Sequence, residues 1–202
     1  MRALTHIRTS LSVRANTVMT ISVRRRLGNQ MIALDQRGFA LLANNCVAGL
    51  LYELAALPKR TPTVGIFFRD EAFPAFLDDY ARGDLTAWTP VNAADLAVDP
   101  VSECPMLLHQ GKPAIIFLHY RDPQIAARKW NGRFSRLDGR KPIVIASLRD
   151  GLEAPMLSRI PSQYDDIFVI GPAPAPPAEL VMLNRPLLRR LAKFFDGILA
   201  RD

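Results

Sequence analysis

The chain alternates short apolar runs with helix-length amphipathic stretches, and this alternation limits the folds that are open to it. Residues 38–43 are apolar over the length of a strand, and residues 47–57 follow with helical patterning that ends before Pro58. Residues 143–147 are the most strand-like segment, because β-branched side chains dominate them. Strand, turn and helix repeated in this way predict an α/β fold with a mostly parallel sheet flanked by helices.

Local signals predict the remaining elements of this fold. Residues 106–109 and 114–118 flank Gln110 and Gly111, which indicates a β-hairpin. Asp122 followed by Pro123 is a typical helix start, and that helix should reach about residue 137. We also predict strands at 63–68 and 166–170, a helix at 73–82 that ends at Gly83, and a short helix at 154–160. A chain of 202 residues suits one core.

The chain changes character after residue 171. Prolines make residues 172–177 a stiff extended linker, and an amphipathic helix is predicted beyond it. Its apolar face would consist of Leu187, Leu188, Leu191, Phe194, Phe195, Ile198 and Leu199. Such a face docks on its own domain, on a partner subunit to form an oligomer, or on a membrane surface. We therefore divide the chain into a basic N-terminal arm at 1–37, an α/β domain at 38–171, and a linker with C-terminal helix at 172–202.

The net charge of +7 is concentrated in the N-terminal arm. The arm holds seven arginines against Asp35 alone, and the rest of the chain is nearly neutral, so the charge does not predict binding to nucleic acid. The arm fits a membrane-surface contact, a solvated or partly docked extension, or an organelle transit peptide. No run has the length of a signal-peptide core or a spanning helix. We expect a cytoplasmic protein, soluble or peripheral to an anionic membrane.

Cys46 and Cys104 are the only cysteines, and they stand in different motifs without a CxxC pair. This pattern argues against a disulfide scaffold or a structural zinc site. The chain also lacks a Walker A loop, GxGxxG, GxSxG, HExxH and a DxD motif. We therefore expect neither a metal nor a cofactor.

Polar residues follow the first predicted strand directly. Asn44, Asn45 and Cys46 form the loop that leads into the next helix, where a helix N-terminus favours anions and lowers a thiol pKa. Cys46 and Asn45 are therefore candidate catalytic residues, and Asn44 is a candidate substrate ligand. In the structural alternative, the asparagines cap the helix and Cys46 fills space as a small apolar residue.

His119 and Tyr120 occupy a similar position, at the end of an apolar run and before a capped helix. His119 is a candidate general base, because an imidazole exchanges protons near neutral pH. Tyr120 beside it is a candidate substrate contact. A buried histidine with a structural hydrogen bond is the alternative.

The helix after Tyr120 carries Lys129, Arg133 and Arg136 at positions i, i+4 and i+7, which share one face. Three cations without an acid among them suit a phosphate or a carboxylate, and Trp130 can pack or stack beside such a ligand. All four residues are therefore candidate substrate ligands. A solvated basic face is the alternative.

The order of these motifs resembles domain of unknown function family 1919, which is often found in bacterial exopolysaccharide and capsule clusters. The shared residues are Asn44-Asn45-Cys46, Gly49, Tyr52, Thr61-Pro62, Phe117-Leu118-His119-Tyr120, Lys129-Trp130-Asn131, Arg133 and Arg136. They lie within residues 37–171. The chain differs at 47–48, where the family has Trp-Gly, at 104–107, where it has Tyr-Pro-Ile-Gly, and at Gly132, where it has Arg. The resemblance implies an α/β fold and a role in making or decorating surface polysaccharide.

We derive three hypotheses about function. The first is a metal-independent glycosyl- or acyl-transferase that acts on a glycan precursor in exopolysaccharide or capsule biosynthesis. In it His119 is the general base, and Arg133 and Arg136 hold an anionic, phosphate-bearing donor. The second is a non-catalytic scaffolding or peripheral membrane component of a polysaccharide assembly system. The third is a hydrolase or acyltransferase that depends on Cys46.

Overall fold

The computed structural model describes residues 21–69, 71–137, 139–148, 152–171 and 185–201, and it has the predicted α/β fold. The helices are α1 (residues 21–36), α2 (Val47–Leu54), α3 (Ala72–Arg82), α4 (Pro123–Phe134) and α5 (Arg185–Leu199). The strands are β1 (Phe39–Ala43), β2 (Phe67–Phe68), β3 (Ala97–Val98), β4 (Pro105–His109), β5 (Lys112–Ile116), β6 (Lys141–Ser147) and β7 (Ile167–Ile170). Short 3₁₀ turns cover Ala93–Asp95 and Ala154–Arg159. The predicted linker at 172–177 and residues 1–20 of the arm lie outside the described residues.

A parallel sheet with the strand order β1-β6-β7 forms the centre of the molecule. Its side chains alternate between two cores, since successive residues of a strand point to opposite faces. Leu41 and Ile143 face a core built with α1, α2 and α5. Leu42 and Val144 face a second core, to which α3 and α4 contribute. The carboxyl ends of β1, β6 and β7 meet at one edge of the sheet.

A second, antiparallel sheet has the strand order β2-β5-β4-β3. Its β4-β5 pair is the predicted hairpin, and the turn places Gln110 and Gly111 in the left-handed region, at φ 52° and 75°. The strand predicted at 63–68 is formed only at Phe67–Phe68. Residues 61–66 instead form a loop whose polar groups bond to β1 and α4 and which packs against α2, as described below.

Aromatic rings join the second sheet to α3 and α4. Phe76 lies at the centre of this cluster, with its ring centroid 5.4 Å from that of Trp88 and 6.4 Å from that of Trp130. The indole N–H of Trp130 donates to the carbonyl of Trp88 at 2.6 Å, which satisfies the one polar group of a fully buried side chain. The predicted start of α4 is confirmed, because the Asp122 carboxylate accepts the backbone N–H of Gln124 at 2.7 Å.

The two terminal helices complete the core on the other face of the parallel sheet. The apolar side of α5, including Leu188, Leu191 and Phe195, is buried there, so this helix docks on its own domain. Leu27 and Met31 of α1 are buried in the same core. The part of the basic arm that the structure describes is thus a packed helix. None of the described helices is long and apolar enough to cross a membrane.

Truncating the buried face of α5 should destabilise the whole domain. Leu191 is fully buried, so Leu191→Ala should lower the free energy of unfolding by about 2 to 5 kcal/mol. The matched control is Lys193→Ala on the exposed side of the same helix, with an effect within about 0.5 kcal/mol. Urea denaturation followed by circular dichroism measures both, and equal stabilities would contradict the docking of α5.

Candidate functional site

Cys46 lies at the N-terminus of α2, directly after β1 and a two-residue loop. The side-chain oxygen of Asn45 accepts the backbone N–H of Val47 at 3.1 Å, so Asn45 satisfies one of the donors that a helix start leaves unpaired. Cys46 is the N-cap residue of α2, and it is partly exposed. The position combines an accessible thiol with the positive end of a helix dipole, which favours the thiolate form of a cysteine.

His119 follows β5 and comes from the other sheet, yet its ring meets this thiol. The Cys46 Sγ and His119 Nε2 atoms are 3.3 Å apart, and the pair faces solvent. When Nε2 carries no proton, it accepts the thiol hydrogen and can remove it. A cysteine and a histidine in contact at a helix N-terminus form the basic unit of thiol-nucleophile chemistry.

The loop at residues 61–66, called the threonine loop below, fixes the distance between the two side chains. Its Gly65 carbonyl accepts the backbone N–H of His119 at 3.3 Å, and its Ile66 carbonyl lies 3.7 Å from the Cys46 Sγ atom. Gly65 has φ +69°, and a Cβ there would be 3.4 Å from two His119 side-chain atoms. Glycine suits this position because other residues rarely adopt such a positive φ, and a Cβ there would also lie 3.3 Å from the Tyr120 Cε2 atom.

Hydrogen bonds from β1 and α4 and close packing against α2 hold the threonine loop in place. The Thr63 hydroxyl accepts the backbone N–H of Ala43 at 3.1 Å and bonds the Thr61 hydroxyl at 2.9 Å. From α4, the Arg133 guanidinium donates to the carbonyl of Val64 at 2.7 Å. From α2, Gly49 packs so closely that a Cβ at this position would be 2.9 Å from the Val64 Cγ1 atom. These contacts anchor the loop beside Cys46 and His119.

Asn44 ties the carboxyl ends of β1 and β6 together. Its side-chain oxygen accepts the Ser147 N–H at 2.7 Å, and its Nδ2 donates to the Ser147 carbonyl at 2.9 Å. The residue is buried, so its role in the structure is to extend the strand pairing by one residue. Tyr52, also shared with the family pattern, lies beneath β1 and accepts the N–H of Leu41 through its hydroxyl, and burial raises the pKa of Tyr52 to about 12.

The basic stripe of α4 is divided between the interior and the surface. Arg133 is 7% exposed, with its guanidinium 5.8 Å from the centre of the Tyr120 ring, and it supports the threonine loop. Trp130 is a core residue, away from solvent. Lys129 and Arg136 are exposed, and the Nε of Arg136 donates to the Lys59 carbonyl at 3.0 Å. These two cations are the members of the stripe that a solute can reach.

Asn131 holds a segment of the chain against α4. Asn131 bonds both the N–H and the carbonyl of Val91, each at 2.8 Å, and so anchors the segment before β3 to α4. Within the described part of the chain, no group of three or more His, Cys, Asp and Glu side chains could hold a metal ion.

The fold and this pair define an α/β protein with a cysteine–histidine dyad at the edge of a parallel sheet. A model of the family DUF1919, a domain of unknown function, matches residues 18–167. The match covers most of the chain, and the protein therefore belongs to this family. No curated protein matches the sequence.

Sequence reasoning singled out both members of the dyad but missed the residues that hold them. Gly65 had a detectable signal, since a glycine inside a predicted strand often marks a close backbone approach. Thr63 and Ser147 had none, because their roles depend on partners that are distant in the chain. Asn44, predicted as a substrate ligand, lies in the structure with its amide bonded to Ser147.

Removing the Asn44 amide should destabilise the sheet at the site. Asn44→Ala leaves the buried N–H and carbonyl of Ser147 without these partners, and we expect a loss of about 2 to 4 kcal/mol in the free energy of unfolding. Asn92→Ala is the control, because Asn92 is exposed and bonds Asp95 at the surface. Chemical denaturation of both variants measures the difference, and equal losses would contradict the assigned role.

Proposed function

We propose that the protein is a transferase that uses Cys46 as its nucleophile and His119 as its general base. The observation that carries this proposal is the 3.3 Å contact between Cys46 Sγ and His119 Nε2. A thiol is a weak nucleophile until a base removes its proton, and here the base is in contact with it. A purely structural cysteine has no need of a solvent-facing imidazole.

The proposed reaction is acyl transfer in two steps. The Cys46 sulfur attacks the carbonyl carbon of an activated acyl donor while His119 Nε2 takes the thiol proton. The bond to the leaving group breaks, the leaving group takes the proton from His119, and an acyl thioester remains on Cys46. A hydroxyl of the acceptor then attacks the thioester and gives its proton to His119. The ester leaves, and the sulfur recovers a proton from the imidazolium.

We propose an anionic donor and a hydroxyl acceptor. Lys129 and Arg136 are the exposed cations of α4, and they would attract a phosphate-bearing donor. Arg133 would act indirectly, through the threonine loop that it supports. For the acceptor we propose a glycan precursor of exopolysaccharide or capsule biosynthesis, in line with the family resemblance. The acyl rather than glycosyl form of the transferase follows from the thiol, which forms thioesters readily.

The reactivity of Cys46 tests the dyad before any substrate is known. An imidazolium beside the sulfur preserves the thiolate at pH values below the ordinary thiol pKa of about 8.5. Alkylation of Cys46 by iodoacetamide should therefore remain fast as the pH falls to about 6.5. In His119→Asn the rate at that pH should be roughly tenfold lower.

Peptide mass spectrometry measures the labelling at each cysteine. Cys104 serves as the internal control, because it is buried and should react slowly in both proteins. Identical pH profiles for the parent protein and His119→Asn would show that the imidazole does not activate the thiol.

A covalent intermediate tests the reaction itself. Incubation with a set of acyl-coenzyme A and acyl-phosphate donors should add one acyl mass to the intact protein, and hydroxylamine should remove it. Cys46→Ala should form no adduct, and Lys129→Ala should form it more slowly at limiting donor. Transfer that continues in Cys46→Ala would exclude the covalent mechanism.

A further inference from the structure

The excess positive charge of the chain lies in its two terminal segments. Residues 38–184 contain 14 basic and 16 acidic residues, so the net charge of +7 comes entirely from the two terminal segments. The structure places the described parts of those segments side by side, because α1 and α5 cover the same core. Gln30 of α1 donates to the Ala192 carbonyl of α5 at 2.8 Å, and Arg37 donates to that of Leu199 at 3.0 Å.

The outer surface of these two helices and of the residues that directly follow them, called the α1/α5 face below, presents eight cations to solvent. Its exposed basic side chains are Arg24, Arg25, Arg26, Arg37, Arg189, Arg190, Lys193 and Arg201. Two of these cations are ion-paired, Arg26 with Asp196 and Arg201 with Asp166, and Asp35 of α1 accepts from Arg140 at 2.9 Å. The face therefore has a strong positive potential, unlike the body of the domain.

Apolar side chains lie among these cations. Ile21 is 60% exposed and Ile32 is 38% exposed, both on α1. Beside α5, a shallow groove is lined by Phe168 and Phe194, with Lys193 at its border. The Arg190 guanidinium lies 5.3 Å from the centre of the largely buried Phe168 ring, so a cation borders this groove.

We propose that the α1/α5 face docks the protein on a membrane rich in anionic lipids. Cations bind the headgroup phosphates, while the exposed isoleucine side chains and the partly buried Phe194 contact the interface between headgroups and acyl chains. Nucleic acid fits this surface less well, since interfaces with nucleic acid are more polar and gain nothing from exposed isoleucines. The inference is independent of the dyad, because it rests on a different surface.

Vesicle flotation of the full chain tests the inference. The protein should bind phosphatidylcholine vesicles that contain phosphatidylglycerol, and should not bind phosphatidylcholine alone. The combined variant Arg24→Gln, Arg25→Gln and Lys193→Gln removes three exposed cations from the face. Its affinity for the anionic vesicles should fall roughly 100-fold, at about fivefold for each residue.

The matched control removes three exposed cations elsewhere, as Lys112→Gln, Arg128→Gln and Arg159→Gln. It carries the same net charge and should bind nearly as well as the parent protein, as should Cys46→Ala. Circular dichroism must show both triple variants folded. Equal losses in the two triple variants, equal binding to neutral vesicles, or tight binding of the same face to RNA without binding to vesicles would each overturn the proposal.

Discussion

The site depends on one buried charge, the guanidinium of Arg133. A charge removed from water is costly unless hydrogen bonds replace its hydration, and here the carbonyl of Val64 supplies one of them. That bond holds the threonine loop against α4. The same loop accepts the backbone N–H of His119 and approaches the sulfur of Cys46. Arg133 touches neither reactive atom, yet it helps to hold the loop that lies against both of them.

The two residues of the dyad follow strands of different sheets. Cys46 is positioned by the parallel sheet through β1 and α2, while His119 is positioned by the antiparallel sheet through β5. A contact of 3.3 Å between such separate elements requires a common support. The threonine loop provides it, because it bonds to β1 through Thr63 and leads directly into β2. The contact between Cys46 and His119 therefore depends on the threonine loop more than on either sheet alone.

The elements that the sequence predicted well are those with local causes. The start of α4 follows from Asp122 and Pro123, and the hairpin turn from Gln110 and Gly111, which need no distant partner. The strand predicted at 63–68 extended too far, because hydrogen bonds to distant residues outweigh its β-propensity. The face shared by Lys129, Arg133 and Arg136 was inferred from spacing, yet burial depends on tertiary packing and separates them. Cys46 and His119 are 73 residues apart, and no local pattern encodes their contact.

The fit between Gly49 and Val64 has a consequence for how this family can vary. The space for a side chain at position 49 is already filled by the methyl groups of Val64. A larger residue at 49 requires a smaller one at 64, or else it displaces the loop that supports His119. The two positions are therefore expected to change together during evolution. Homologous chains in which the two positions vary together are expected to keep the loop that holds the histidine beside the thiol.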